Sequence, residues 1–230
     1  GSVMMATELF SQLCPDVMTI DVGGATTDVH SVTQGSEEIS RILVSPEPDA
    51  KRTVEGDLGL YINHDNIINS FLKGELEKLT GLSEEELQAE LDDFRPIPET
   101  ENAKKLIAAL TTRAVITSVH RHAGHLIDLF FSGGRKSAAM GKDLTNIKII
   151  LGTGGALTQL PEGKDILLSI PRSNKGDRLL PQEGVKVLID QEYIMASLGV
   201  LSMEHPKSAL KLLVESLGGE DVSASCHSEE

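Results

Sequence analysis

The sequence predicts an α/β domain, a mixed sheet flanked by helices and carrying a small helical insertion. Three observations lead there. Two short runs rich in β-branched residues flank Gly23-Gly24, a third apolar run ends in Gly152-Thr153-Gly154-Gly155, and amphipathic stretches lie between and after them. Strands are read from alternation with a period of two, helices from apolar spacing of three and four. With 230 residues the chain can bury a sizeable core, as one large domain or two small ones.

Residues 3–13 suit a short amphipathic helix, and 17–22 and 27–33 suit two strands around the glycine turn. A third antiparallel strand is expected over 37–45, before the Pro46/Pro48 loop, and a helix over 58–73. The segment 74–102 is acidic and helix-forming, with Ser83 placed ahead of Glu86 as a capped helix start, and Pro96 and Pro98 close it. It is the candidate insertion. A long helix is expected over 101–131, because Val115, Val119, Ala123, Leu126 and Phe130 form one stripe. Ile147–Leu151 and Val185–Ile189 read as strands, and helices follow at 191–203 and 206–217. The chain thus divides into one unit, 1–217, and a polar acidic tail, 218–230, expected to be disordered.

Composition narrows the function. The formal charge of −14 argues against nucleic acid, whose phosphates require a basic footprint. Hydrophobic residues at 40% and charged residues at 24% fit a soluble globular protein. With aromatics at only 3%, the core must rest on Leu, Ile, Val and Ala. No apolar run approaches the ~20 residues needed to span a bilayer, and no signal peptide is visible. Cys14 and Cys226 lie near opposite ends, and their spacing alone decides no disulfide. A reduced, cytoplasmic setting without membrane contact is the expectation. Gly1-Ser2 reads either as an expression scar or as the start of a piece of something longer.

The chemistry concentrates in Asp21-Val-Gly-Gly-Ala-Thr-Thr-Asp28. Consecutive N–H groups in a glycine turn form a concave anion site that no side chain obstructs. Asp21 at the mouth is placed to hold a water-coordinated Mg²⁺ beside a phosphate. Gly23, Gly24, Thr26 and Thr27 are the candidate phosphate contacts, whereas Asp28 either joins them or only braces the turn. A plain β-turn is the bland alternative. The motif is not a Rossmann fingerprint, whose loop opens a helix, nor a P-loop, since no Gly-Lys-Ser/Thr follows. The second loop is weak alone, but Gly152, Thr153, Gly154 and Gly155 offer the flat surface that a nucleoside needs.

These strings carry a resemblance. Asp21–Val29 is similar to the second phosphate motif of the actin-like ATPase superfamily, which includes actin, sugar kinases and the heat-shock 70 ATPases. Gly152-Thr-Gly-Gly-Ala156 resembles the adenosine motif of that superfamily, and Val54–Leu58 stands where heat-shock ATPases carry a Gly-Gly-Glu-Asp helix start. A closer similarity, over nearly the whole chain except the tail, is to the glutamate mutase MutL (GlmL) family. It rests on residues 20–31, Thr53–Gly59, Arg121-His-Ala-Gly124, Gly152–Thr158 and Asp190–Ala196.

The resemblance implies a ribonuclease-H-like, actin-type ATPase lobe that uses ATP and Mg²⁺. It also implies a role in reactivating or repairing an adenosylcobalamin-dependent mutase or aminomutase. Asp21 would then be the carboxylate that orients metal-bound water. Gly23, Gly24, Thr26 and Thr27 would meet the terminal phosphates, and Gly152, Thr153, Gly154 and Gly155 would back the nucleoside. The first phosphate motif of such ATPases precedes the second and is not in this sequence, so the chain reads as the C-terminal lobe, an ATPase only when completed by a first lobe.

Other groups count for less. His120, His122 and His125 do not share one helix face, which argues against a metal cluster. Glu55 and Asp57 either touch nucleotide or cap the next helix, and Glu84-Glu85-Glu86 reads as a solvated face. Two rival functions stand beside the chaperone. One is a small-molecule ATPase of the hydantoinase or acetone carboxylase kind. An acyl-dehydratase activator is disfavoured because two cysteines do not make an iron–sulfur ligand set. The other is a mutase-interaction module that binds no nucleotide.

Overall fold

The structure, a computed structural model, describes residues 1–219 together with Val222 and Cys226. Helix α1 (Ser2–Ser11) leads into strand β1 (Val17–Val22), which turns back as β2 (Thr27–Val32). A one-turn helix α2 (Glu37–Ser40) precedes β3 (Ala50–Glu55). A 3-10 turn (Gly56–Leu58) follows, then α3 (His64–Ile68), α4 (Glu75–Thr80), α5 (Glu84–Asp92) and the long α6 (Glu101–His122). A hairpin of β4 (His125–Phe131) and β5 (Gly134–Met140) stands outside the main sheet. The chain ends in β6 (Ile149–Thr153), α7 (Gly155–Gln159), α8 (Gly163–Arg172), β7 (Lys186–Ile189), α9 (Met195–Leu201) and α10 (Pro206–Ser216).

The main sheet is mixed, in the order β3-β2-β1-β6-β7. The first three strands are antiparallel neighbours, whereas β6 and β7 run parallel to β1. The pleat assigns each side chain its face. Met18, Ile20 and Val22 enter the larger core with Leu106, Leu110 and Val115 of α6 and Leu167 of α8. Val17 points the other way, into a second core with Phe10 of α1, Leu198 of α9 and Leu213 of α10. Each fully buried aliphatic side chain there contributes about 1.5–3 kcal/mol. The same alternation puts Thr19 and Asp21 on the α1 side of the sheet, opposite His30 and Asp28 of β2 in the ladder.

Local chemistry sets the helix starts. Ser83 and Glu86 form the expected capping box, with the Glu86 N–H donating to Ser83 Oγ at 3.2 Å and the Ser83 N–H to Glu86 Oε2 at 2.8 Å. Thr100 caps α6 by accepting from the Ala103 N–H at 2.9 Å. Residues 74–102 hold α4, α5 and the beginning of α6.

Three sequence expectations are corrected. Residues 37–45 do not form the third strand, because Ser36 caps the short α2 and accepts from the Ile39 N–H. The third strand is the half-exposed edge segment Ala50–Glu55, whose polar sequence conceals it. The helix expected over 58–73 contracts to His64–Ile68, since residues 59–62 pack on the glycine turn instead. The long helix stops at His122, where Ala123 turns extended and His125–Phe131 pairs with Gly134–Met140. Leu126 and Phe130 therefore lie on an exposed hairpin.

The predicted tail lies mostly outside the described residues. Of it, Val222 is buried in the cluster that contains Phe10 and Leu217, and Cys226 is joined to Cys14 as a disulfide with Cα atoms 5.3 Å apart. The spacing left that pairing undecided, and the bond replaces the reduced thiols that were expected. Among the described residues no helix is long and apolar enough to cross a membrane.

Candidate functional site

The motif residues gather at the carboxyl ends of the parallel neighbours β1 and β6. Asp21 is paired in the ladder with Asp28 on one side and with Thr153 on the other, so three polar side chains form a row on the α1 face. Arg52 of β3 donates to Asp28 Oδ2 at 2.6 Å. Asp28 Oδ1 is buried and has no hydrogen-bond partner among the described residues. His30, on the same face, is also buried, with both ring nitrogens unpartnered among the described residues. Burial lowers its pKa to about 4, which keeps it neutral.

Asp21 is strained electrostatically. Burial first, then the neighbouring Asp28, raise its pKa from 3.8 to about 6, while Arg52 pulls in the other direction and Asp190 adds to the rise. Such a carboxylate pair gains from a cation brought beside it.

The turn itself is closed by the Gly23 N–H donating to the Thr26 carbonyl at 2.9 Å. Its carbonyls face the following segment: Gly23 O accepts from the Leu60 N–H at 3.1 Å, and Gly24 O accepts from the N–H groups of Tyr61 and Ile62, both at 2.8 Å. Among the described residues, nothing accepts from the N–H groups of Gly24, Ala25 or Thr26. Gly23, Gly24 and Thr26 border this opening. Thr27 does not, because it is buried and its hydroxyl donates to the Leu58 carbonyl at 2.7 Å. Thr27→Val should destabilise the fold by about 1–2 kcal/mol by leaving that buried carbonyl unpaired. Urea denaturation of the two forms would measure it.

The second loop divides in the same way. Gly152 sits inside β6, where a Cβ would lie 2.6 Å from Leu167 Cδ1 and 2.7 Å from Ile189 Cδ1, so it serves packing. The Thr153 hydroxyl donates to Asp190 Oδ2 at 2.8 Å. Gly154 has φ of +90°, and a Cβ there would lie 2.3 Å from the Val22 carbonyl oxygen. Its backbone therefore rests on β1 at the residue before Gly23, and the two glycine loops touch. Gly155 opens α7 with free space around its Cα.

Asp190 is the residue that sequence reasoning missed. Fully buried, it accepts from Thr153 Oγ1, from Ser216 Oγ at 2.5 Å, and from the N–H groups of Ile194 and Met195. It fastens β6, α9 and α10 together behind the site. An aspartate between a strand and a helix start was the available signal.

The remaining candidates have partners elsewhere in the fold. Arg121 pairs with Glu55 at 2.6 Å and with both oxygens of Asp57 at 2.8 and 3.0 Å, which holds the Asp57 carboxyl below its ordinary pKa. His122 is buried between Ser31 and Thr53, whereas His120 meets Ser173. No group of three metal-ligating side chains occurs among the described residues. A trough of about 960 Å³ runs along the outer side of α6, past Phe71, Ile116, His120 and Met140, and neither glycine loop lines it.

A family model described as MutL protein matches residues 1–217. A curated relative, Protein MutL of Clostridium tetanomorphum, is 29% identical over 204 residues, covering 86% of this chain and 44% of the relative. The chain thus spans less than half the length of that protein.

Proposed function

Because the chain belongs to the MutL protein family, we propose that it is the nucleotide-binding lobe of an ATP-dependent reactivating chaperone for an adenosylcobalamin-dependent mutase or aminomutase. The mixed sheet centred on β1 supports reading it as a ribonuclease-H-like, actin-type lobe. The observation that carries the proposal is the turn beside Asp21. Three neighbouring N–H groups there find no acceptor among the described residues, next to a carboxylate whose charge burial disfavours.

On this reading the amides of Gly24, Ala25 and Thr26 bind terminal phosphate oxygens. Asp21 orients water on Mg²⁺, a cation that suits two neighbouring carboxylates. Gly154 and Gly155 give the nucleoside a surface without side chains. Asp28, paired with Arg52, lies beside Asp21, and Thr27, Thr153 and Asp190 hold the two loops in place. Hydrolysis would use an in-line water, with Mg²⁺ and the loop amides stabilising the transition state. Lobe movement would then remodel the partner enzyme. The mutase partner follows from the family likeness, since fold alone does not assign it.

Isothermal titration of ATP–Mg²⁺ against this chain and against a full-length form tests the proposal. The full-length form should bind, and Asp21→Asn should weaken binding by at least about tenfold. A full-length protein that ignores ATP–Mg²⁺, or an Asp21→Asn variant that binds it as well as wild type, would overturn it.

A further inference from the structure

Peptide geometry around the turn assigns a task to the segment that follows it. In a trans peptide the C=O and the next N–H point in opposite directions. Fixing the carbonyls of Gly23, Gly24 and Ala25 therefore fixes where the N–H groups of Gly24, Ala25 and Thr26 point. All three carbonyls are held by one stretch of chain. Leu60 N–H takes Gly23, Tyr61 and Ile62 N–H take Gly24, and Asn63 Nδ2 donates to Ala25 O at 3.4 Å and to Gly56 O at 2.7 Å. The three N–H groups opposite them are the three that donate to nothing among the described residues.

A turn containing two glycines flips its peptides at little cost, so its polarity has to be imposed from outside. Gly59 makes the imposition close. A Cβ there would lie 2.2 Å from the Ala25 carbonyl oxygen, although the Gly59 backbone (φ −74°, ψ 129°) accepts any residue.

On the premise that the turn takes phosphate, we infer that Gly59–Asn63 is a strap that aims the three N–H groups at the phosphate. Gly59 and Asn63 are its positioning residues, and they act on phosphate recognition and not on nucleoside recognition. The strap arises from the β3–α3 connection, whereas the nucleoside surface lies on the β6–α7 loop, so the two are separable by substitution.

The test titrates full-length protein with ATP–Mg²⁺ and, separately, with adenosine. Gly59→Ala pushes Ala25 and its carbonyl aside, and Asn63→Ala releases the Ala25 end of the strap. Each should weaken ATP–Mg²⁺ by about tenfold or more while leaving adenosine within about twofold. If Gly59→Ala fails to fold, the milder Asn63→Ala decides. Folded variants that bind ATP–Mg²⁺ like wild type, or that lose both ligands equally, would sink the strap and leave the phosphate reading intact. Wild-type protein that binds adenosine but gains nothing from the phosphates would refute that reading, and the strap with it.

Discussion

Asp21→Asn should make this protein more stable at about pH 8 while removing the proposed cation site. The Asp21 carboxyl ionises near 6 in the fold against an ordinary value of 3.8, so between those values the folded chain holds a proton that the unfolded chain releases. The stability tied to this group is complete below 3.8 and is lost as pH rises through about 6. Above that, a shift of this size corresponds to roughly 3 kcal/mol, and Asn, which never ionises, recovers much of it. Urea denaturation of both forms across the pH range should show the variant ahead at about pH 8 and the gap closing towards about pH 4. Mg²⁺ should stabilise wild type and not the variant. Equal stability at high pH would mean that Arg52 already neutralises the site.

Gly154→Ala should cost at least about 2 kcal/mol. The positive φ contributes about 1–2 kcal/mol and the backbone collision with Val22 a similar amount or more. The collision cannot be relieved by a rotamer change, because the obstacle is the main chain of β1. Gly155→Ala, one residue on and in open space, should stay within about 0.5 kcal/mol and serves as the control. Denaturation midpoints would compare the two, and a Gly154 variant as mild as its neighbour would show that the loops do not touch.

Much of this was legible in the sequence, and the failures have particular causes. The β1 turn, the Ser83 capping box and the end of β7 at Ile189 follow from local patterns, whereas β6 runs past the expected Leu151 through Gly152 to Thr153. The hairpin after α6 was hidden because Leu126 and Phe130 stand four residues apart, a spacing that suits one face of a helix and one face of a strand alike. The β3 edge was hidden because a half-exposed strand need not alternate cleanly. Within the site, Thr27 looks like Thr26 on paper, and only the pleat decides that its hydroxyl turns inward to Leu58. The task of Asp190 depends on Ser216 and Thr153, distant in sequence. The strap escaped notice because three of its donors are main-chain N–H groups, which no side-chain pattern announces.

The contact of Gly154 with Val22 also has a kinetic meaning. The three antiparallel strands β1 to β3 are joined by local connections and can pair early, whereas β6 reaches β1 only after a very long loop has closed. The glycine turn is therefore expected to form before its neighbouring wall arrives. On the proposed function, a nucleotide analogue added to refolding full-length protein should bind no earlier than β6 docks on β1. The turn would form early, and its Gly154 wall would arrive only with β6.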